Sequence, residues 1–297
     1  MYRTVGRLEE LMSKTIAIVI KPGTPQAVEA LERLVKVAPG HRFIMEAQGH
    51  HAVEGLPVGI DRLAAKDIEN QADLMVVFGG DGTLIHAASL LQSRAVPILG
   101  VNVGYIGFMT DVAIDEVERS IGAALAGELA ITERMRLDVV LRFKDREPIH
   151  RLILNDVVLS LRQLSRLASY RVTVGDELMT TMRGDGVIVS TPTGSTAYAM
   201  AAGGSILSPT LRAIAVTPIN PHQLTQRQMI LDAEQTVTLS LDTETQVVAT
   251  LDGQTAHSFN AEDLMLVRKA DVPLRLFEVP WRSYFETLRT KLDWGNS

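Results

Sequence analysis

The spacing of apolar residues changes near residue 127, and this change limits the folds open to the chain. Before it, aliphatic runs such as Thr15–Ile20 and residues 74–78 alternate with segments of helical spacing, such as residues 27–37 and 83–92. This alternation predicts strands joined by helices, and hence a mostly parallel sheet covered on both faces. After it, short alternating segments follow one another, which predicts antiparallel strands in a β-sandwich-like domain.

We therefore expect an α/β domain over residues 1–127, a β-rich domain over residues 128–275 and a tail over residues 276–297. Residues 191–232 are rich in Ala, Gly, Ser and Pro, and we expect loops with one short helix there. The tail is apolar enough to pack back on the first domain. Further strands are predicted over residues 136–143, 151–159, 170–174, 236–241, 246–251 and 264–267.

The composition argues against several classes of protein. Of the 297 residues, 46% are apolar, which is sufficient for a folded core. The formal net charge is -6, whereas nucleic-acid-binding proteins usually carry a basic face. The chain contains no cysteine, so disulfides and cysteine zinc sites are excluded. No apolar run approaches the ~18 residues of a membrane span, and residues 1–14 lack a signal-peptide core, so we expect a cytoplasmic protein without membrane partners.

A turn with three glycines, Gly79-Gly80-Asp81-Gly82-Thr83, follows the aliphatic run at residues 74–78. Open α/β sheets bind ligands at the carboxyl ends of their strands, and glycines let the backbone approach an anion closely. Asp81 is the only ionisable group of the turn, and we expect Thr83 to cap the following helix. The P-loop and dinucleotide fingerprints both fail here. By itself, the turn leaves a phosphate site and a plain glycine-rich connection equally open.

Two further segments contain polar groups in apolar surroundings. Asn155-Asp156 is flanked by three apolar residues on each side, and buried amides and carboxylates need partners. Residues 190–196 carry five hydroxyl side chains directly after a β-branched run, and hydroxyls suit phosphate or ribose. Taken alone, the first segment is as well explained by a strand bulge or edge, and the second is better explained by a capped loop.

Together, these segments resemble the NAD kinase family. The glycine turn is similar to its Gly-Gly-Asp-Gly-Thr motif, which lipid kinases share, and Asn155-Asp156 is similar to its Asn-Glu/Asp motif. Asp185-Gly186 and residues 191–198 resemble its long signature, which is far more selective. The resemblance covers residues 14–293. Supporting matches are Gly203-Gly204, Pro221-His222, Asp252-Gly253-Gln254 and Thr290-Lys291-Leu292.

The resemblance implies transfer of a phosphoryl group from ATP to the 2′-hydroxyl of the adenosine ribose of NAD, at a site between the two domains. Asp81 is then the catalytic carboxylate, assisted by Mg²⁺ or Mn²⁺, and the protein is a homodimer or homotetramer. No residue is assigned as a dedicated metal ligand. The residues assigned to substrate binding are Gly79, Gly80, Gly82, Thr83, His86, Asn155, Asp156, Arg166, Arg183, Asp185, Thr193, Gly194, Ser195, Thr196, Ala197, Tyr198, Ala201 and Gln254.

The position of Arg183 carries an expectation about specificity. The resemblance associates Arg here with members that prefer NAD, and a glycine or polar residue with members that also accept NADH. It also links Arg183, less directly, to ATP rather than polyphosphate as donor. A solvated surface arginine is the alternative explanation.

Two other functions compete with this interpretation. A lipid kinase of the diacylglycerol or sphingosine type shares the glycine turn but should lack residues 191–198, and no basic amphipathic helix is predicted here. A non-catalytic dinucleotide sensor on the same fold would not need Asp81. Formation of NADP from ATP and NAD distinguishes the three.

Overall fold

The computed structural model describes residues 13–47, 56–57, 59–104, 107–161 and 168–295. The strands in these residues are β1 (Thr15–Ile20), β2 (Arg42–Glu46), β3 (Ile60–Leu63), β4 (Leu74–Gly79), β5 (Pro97–Asn102), β6 (Val112–Ala113), β7 (Ala130–Arg134), β8 (Leu137–Arg142), β9 (Ile149–Ile153), β10 (Asp156–Leu161), β11 (Ala168–Val174), β12 (Glu177–Gly184), β13 (Gly186–Ser190), β14 (Ala213–Ile219), β15 (Met229–Asp232), β16 (Val237–Leu241), β17 (Val247–Leu251), β18 (Thr255–Phe259), β19 (Leu264–Lys269) and β20 (Leu274–Glu278). The helices are α1 (Pro25–Val37), α2 (Ala65–Gln71), α3 (Asp81–Ser89), α4 (Val117–Leu125), α5 (Tyr198–Ala201) and α6 (Tyr284–Leu292), with 3-10 turns at Ile114–Glu116 and Thr193–Thr196. No helix in the described residues is both long and apolar enough to cross a membrane.

The first sheet has the order β3-β2-β1-β4-β5-β20-β7, with β6 paired to β5. Strands β1 to β5 are mutually parallel, and β20 runs parallel to β5 but antiparallel to β7. Along β1, Ile16 and Ile18 belong to one buried cluster while Ala17 and Val19 belong to another. The sheet is therefore covered on both faces, as the alternation of strands and helices predicts.

Helix α1 shows why the covering helices form where they do. Pro25 occupies the first turn, where its missing N–H costs no hydrogen bond. Ala27, Ala30, Leu31 and Leu34 follow at helical spacing and are fully buried. They pack with α4 on one face of the sheet, and α2 and α3 cover the other.

The rest of the chain forms two six-stranded antiparallel sheets that share one apolar core. Their orders are β15-β14-β13-β10-β17-β18 and β12-β11-β16-β19-β8-β9. In β16, Val237, Leu239 and Leu241 are buried while the intervening Thr238 and Ser240 are partly exposed. This period of two is the pattern of a strand with one face on the core, and the predicted α/β plus sandwich-like fold is confirmed.

Two local predictions were wrong. Residues 151–159 were expected to form one strand, but the chain leaves the sheet of β9 at Ile153 and enters the sheet of β10 at Asp156. Residues 191–232 were expected to hold loops with one short helix, but they also contain β14 and β15. Strand β14 is buried at every position, so its sequence shows no alternation of apolar and polar residues. It also contains Pro218, which argues against a strand, and these two features explain why the sequence did not predict it.

We predict that Leu239→Ala lowers the free energy of unfolding by about 2–5 kcal/mol, because it leaves a cavity between the two antiparallel sheets. Leu239 is fully buried, whereas Leu224 is 86% exposed, so Leu224→Ala is the matched control with a cost of about 0.5 kcal/mol or less. Urea unfolding followed by far-UV circular dichroism measures both. Equal losses in the two variants would contradict the assigned core.

Candidate active site

Strands β4 and β5 end side by side at one edge of the parallel sheet. Gly79 closes β4 and pairs with Asn102, which closes β5. Asn102 is buried, donates from Nδ2 to Thr110 Oγ1 (3.2 Å) and accepts from the Gly104 amide (2.8 Å). Sequence reasoning missed Asn102, although its place at the end of a strand next to the glycine turn is the signal that identifies it.

Asp81 opens α3 at this edge, and its carboxylate is held in place by the backbone. One oxygen accepts from the Phe108 amide (2.9 Å) and the other from the Met109 amide (3.0 Å). A Cβ at Gly107 would lie 2.2 Å from Asp81 Oδ1, so only glycine lets this loop approach the carboxylate so closely. The structure therefore fixes the orientation of the one acidic group in the turn.

The expected capping role of Thr83 is wrong. Gly80, not Thr83, lies at the N-cap, and no side chain caps α3. Thr83 is buried within the first turn and packs over Gly79, where an added Cβ would be only 2.3 Å from Thr83 Oγ1. Around Gly80 and Gly82 there is open space, so their backbone can be reached by a ligand at the helix N-terminus.

His86 lies one turn further along α3, partly buried. Its Nε2 is 2.9 Å from Glu46 Oε2 at the end of β2. Both groups thus belong to the same carboxyl edge of the parallel sheet as Asp81, with His86 oriented by a carboxylate.

Asn155 and Asp156 lie where the chain crosses from one antiparallel sheet to the other. The carboxylate of Asp252 accepts from three consecutive amides at this crossing: Leu154 (2.8 Å), Asn155 (2.7 Å) and Asp156 (3.2 Å). Asp252 adopts φ +50, a left-handed conformation typical of a turn. Sequence reasoning noted Asp252 only as a supporting match and missed this role.

Asp156 is buried beside Asp252, and burial followed by the charge of Asp252 raises its pKa to about 7. The Tyr198 amide acts in the opposite direction. Burial also raises the pKa of Asp252 to about 6, although the three amides oppose the rise. Since amide donors favour the ionised form, Asp252 is the ionised member of the pair, and Asp156 retains a proton to higher pH.

The hydroxyl-rich segment packs directly against Asn155. Thr191 donates to Leu154 O (2.6 Å), and the Thr191 amide donates to Asn155 O (2.8 Å). A Cβ at Gly194 would be 2.1 Å from Asn155 O, which explains the glycine. Within the described residues, Asn155 Oδ1 and Thr193 Oγ1 are buried without a hydrogen-bond partner.

Of the other hydroxyls of this segment, two serve the turn itself. Ser195 is buried and donates to Pro192 O (2.6 Å), while Thr196 donates to Thr193 O (3.3 Å). Ser190 Oγ is buried and, within the described residues, has no hydrogen-bond partner. Tyr198 is half exposed, and Ala197 and Ala201 lie on the accessible side of the same 3-10 turn and α5.

The remaining predicted residues lie elsewhere. Asp185 lies directly before β13 and accepts a hydrogen bond from Asn220 Nδ2 (2.8 Å). Arg183 is exposed on β12. Because Asp156 pairs with the far end of β13, Asp185 is about 15 Å from it along the strand. Gln254 is exposed in the turn between β17 and β18, near Asp252. Arg166 lies outside the described residues.

We predict that stability falls as pH rises from about 4 to about 7, because folded Asp156 holds its proton where the unfolded chain has released it. Each proton that is held only in the folded state changes the free energy of unfolding by up to about 1.4 kcal/mol per pH unit. Asp156→Asn should flatten the slope, whereas Asp176→Asn, in an exposed turn, should keep it. Urea unfolding at several pH values measures this; an unchanged slope in Asp156→Asn would refute the assignment.

The family profile described as the ATP-NAD kinase N-terminal domain matches residues 16–129, and that described as the ATP-NAD kinase C-terminal domain matches residues 154–279. Among curated relatives, the NAD kinase of Geobacter metallireducens is 38% identical over 283 residues, covering 95% of this chain and 99% of the relative. The NAD kinase of Geobacter sulfurreducens is 40% identical with the same coverage.

Solved structures show the same architecture. Yeast NADH kinase complexed with NADH matches with a TM-score of 0.86 and 26% identity, over 96% of this chain and 89% of that chain. An NAD kinase from Archaeoglobus fulgidus in complex with ATP matches with a TM-score of 0.72 and 24% identity, over 94% and 98%, and supports the fold. With both halves of the chain matched and relatives aligned over nearly its full length, the chain belongs to the NAD kinase family.

Proposed function

We propose that this protein transfers the terminal phosphoryl group of ATP to the 2′-hydroxyl of the adenosine ribose of NAD, which yields NADP and ADP. The observation that carries the proposal is the Asp81 carboxylate, which two backbone amides orient at the N-terminus of α3. The family profiles and curated relatives support NAD as the acceptor. The reaction takes place between the α/β domain and the antiparallel β-rich domain. The bounds expected for them, residues 1–127 and 128–275 with a tail at 276–297, need adjustment, because β7 and β20 belong to the sheet of the α/β domain.

Asp81 acts on the ribose hydroxyl. As the 2′-oxygen bonds to the γ-phosphorus, the bond from that phosphorus to the β,γ-bridging oxygen breaks, and Asp81 orients or accepts the hydroxyl proton. Phosphoryl transfer depends mainly on positioning and charge neutralisation, so one oriented carboxylate is chemically sufficient. Gly79, Gly80, Gly82 and Thr83 form the turn, whose open backbone faces the phosphates, and His86 lies beyond it at the same edge.

The acceptor is held on the opposite side by the crossing at Asn155 and Asp156. The unpaired oxygens of Asn155 and Thr193 can accept hydrogen bonds from ribose or amide groups of the dinucleotide. Protonated Asp156 can donate one as well as accept. The remaining lining residues are Gly194, Ser195, Thr196, Ala197, Tyr198, Ala201 and Gln254.

A divalent cation, Mg²⁺ or Mn²⁺, completes this proposal. Mg²⁺ is usually held by substrate phosphates, water and one or two carboxylates, and Asp81 is the carboxylate that the turn places beside the phosphate position. Its oxygens retain lone pairs beyond the two amide bonds. When bound, the ion neutralises charge that develops on the transferred group.

Asp185 lies about 15 Å from Asp156 along the strand, so the two contact different groups of the dinucleotide. Arg166, Arg183 and Asp185 contribute further dinucleotide contacts, as the resemblance implies, and the enzyme is a homodimer or homotetramer. The absence of cysteine is compatible with the reducing cytoplasm, where we place the enzyme.

The competing functions are not favoured. The two profile matches are to NAD kinase domains, and the curated relatives are NAD kinases rather than lipid kinases. A sensor would have no need for a carboxylate held by two amides at a phosphate-binding helix terminus.

We predict that Asp81→Asn lowers kcat for NADP formation by at least about 10²-fold, in the range of a lost general base. The amide cannot take up the proton, and its NH₂ group would oppose one of the two backbone N–H donors. The assay supplies ATP, Mg²⁺ and NAD and detects NADP with an NADP-specific dehydrogenase. Asp176→Asn in an exposed turn is the control, and near wild-type turnover by folded Asp81→Asn would exclude the catalytic role.

We predict that Arg183→Gly raises the ratio of kcat/KM for NADH to that for NAD, since the resemblance links Arg183 to NAD selectivity. The exposed Arg171, which pairs with Asp242 in the same sheet, gives the control Arg171→Gly. Initial rates with both acceptors decide the matter. Equal turnover of NADH and NAD by the wild type would overturn the assignment at once.

A further inference from the structure

Arg136 is one of the largest fully buried side chains, 1% exposed, in the segment that joins β7 to β8. Its Nη1 donates to Leu91 O (2.5 Å) and, at 3.5 Å, to Ala88 O, while its Nε donates to Val272 O (2.9 Å). The first two carbonyls lie at the end of α3. A cation at a helix C-terminus is favourable because it complements unpaired carbonyls and the helix dipole.

The same end of α3 packs against the crossing at residues 154–156. Leu154 is buried in one apolar cluster with Ala88 and Leu91 of the α3 end. The Leu152 amide also donates to the Gln92 side chain (3.4 Å). The apolar contacts and this hydrogen bond therefore connect the helix that begins at Asp81 to the turn that begins at Asn155.

Asp252 joins this arrangement from the other side. It holds the amides of Leu154, Asn155 and Asp156, and its charge interacts favourably with Arg136: each moves the pKa of the other toward the ionised form. Neither charge is used by the proposed chemistry. A buried ion that contacts no substrate needs a structural reason, because its desolvation is costly.

We propose that Arg136 and Asp252 are positioning residues that fix the Asp81 helix relative to the Asn155–Asp156 turn. Arg136 holds the far end of α3, and Asp252 holds the backbone of the turn. The apolar side chain of Leu154 transmits the position of one to the other. The expected effect on catalysis rests on the proposed function. The structural connection between Arg136, Leu154 and Asp252 does not depend on it.

The expected effect is on kcat, because a misplacement of about 1 Å between reacting groups can cost about 10²-fold in rate. Arg136→Met and Asp252→Asn should each lower kcat for NADP formation by at least about 10-fold. The double variant should lose less than the product of the two single losses, because either change already breaks the same link. Arg136→Lys, which keeps the charge and a single donor nitrogen, should recover part of the loss and is the variant to use if Arg136→Met does not fold.

An ion pair on the other face of the parallel sheet provides the controls. Arg33 of α1 donates to Glu118 of α4 through Nε (2.5 Å) and Nη2 (2.6 Å), and both side chains are partly buried, whereas α3 packs on the opposite face. Arg33→Met and Glu118→Gln should lower the unfolding midpoint but leave kcat within about 2-fold, as expected for a distant, independent site. This separates positioning from general destabilisation.

Hydrogen exchange measures the link without relying on activity. In Arg136→Met or Arg136→Lys, the amides of residues 154–156 should exchange at least about 10-fold faster than in the wild type and in Arg33→Met. Unchanged exchange, or unchanged kcat in folded variants of an active enzyme, would overturn the proposal. Faster exchange together with an inactive wild type would uphold the link and refute the proposed function.

Discussion

The carboxylate of Asp252 accepts hydrogen bonds from three consecutive amides, and the geometry of the candidate site depends on this contact. The chain crosses between two sheets at residues 154–156, where strand pairing cannot satisfy the backbone. Unpaired buried amides are costly, so the crossing needs an acceptor with several lone pairs. An ionised carboxylate supplies them, and in doing so it places Asn155 and Asp156 beside the hydroxyl-rich turn.

The same principle operates at the other half of the site. Asp81 also accepts hydrogen bonds from two backbone amides of another segment, the loop that follows β5. In both places a carboxylate fixes the backbone of a neighbouring segment. At the crossing between the two sheets, burial and then the charge of Asp252 raise the pKa of Asp156.

The sequence predicts those parts of the molecule that follow from local pattern. Strand β1 has the predicted bounds, because a short aliphatic run that ends in a turn is typical of a buried strand. Residues 79–83 and 191–198 were found because glycine and hydroxyl clusters are unusual beside strands. Strand β14 was missed because it is buried on both faces, and the break within residues 151–159 was missed because each side is equally apolar.

Long-range contacts account for the rest. Nothing near Asp252 in the sequence indicates that its carboxylate meets amides almost one hundred residues earlier, and Arg136 looks like one charged residue at the start of a strand. Thr83 was misassigned because a hydroxyl near a helix start usually caps it, whereas here the space over Gly79 receives the side chain. Such roles depend on contacts between elements that are distant in sequence, and the residue pattern of a single element does not predict those contacts.

The position of β20 has a consequence for how the chain is made. This strand lies between β5 and β7, so the first sheet is continuous only when residues 274–278 are in place. In chain order, the antiparallel sheets are an insertion within the α/β domain. During synthesis, the β5 edge and β7 stay unjoined until residues 274–278 have left the ribosome. The antiparallel domain has all of its strands earlier, so the sheet that carries Asp81 is completed after it.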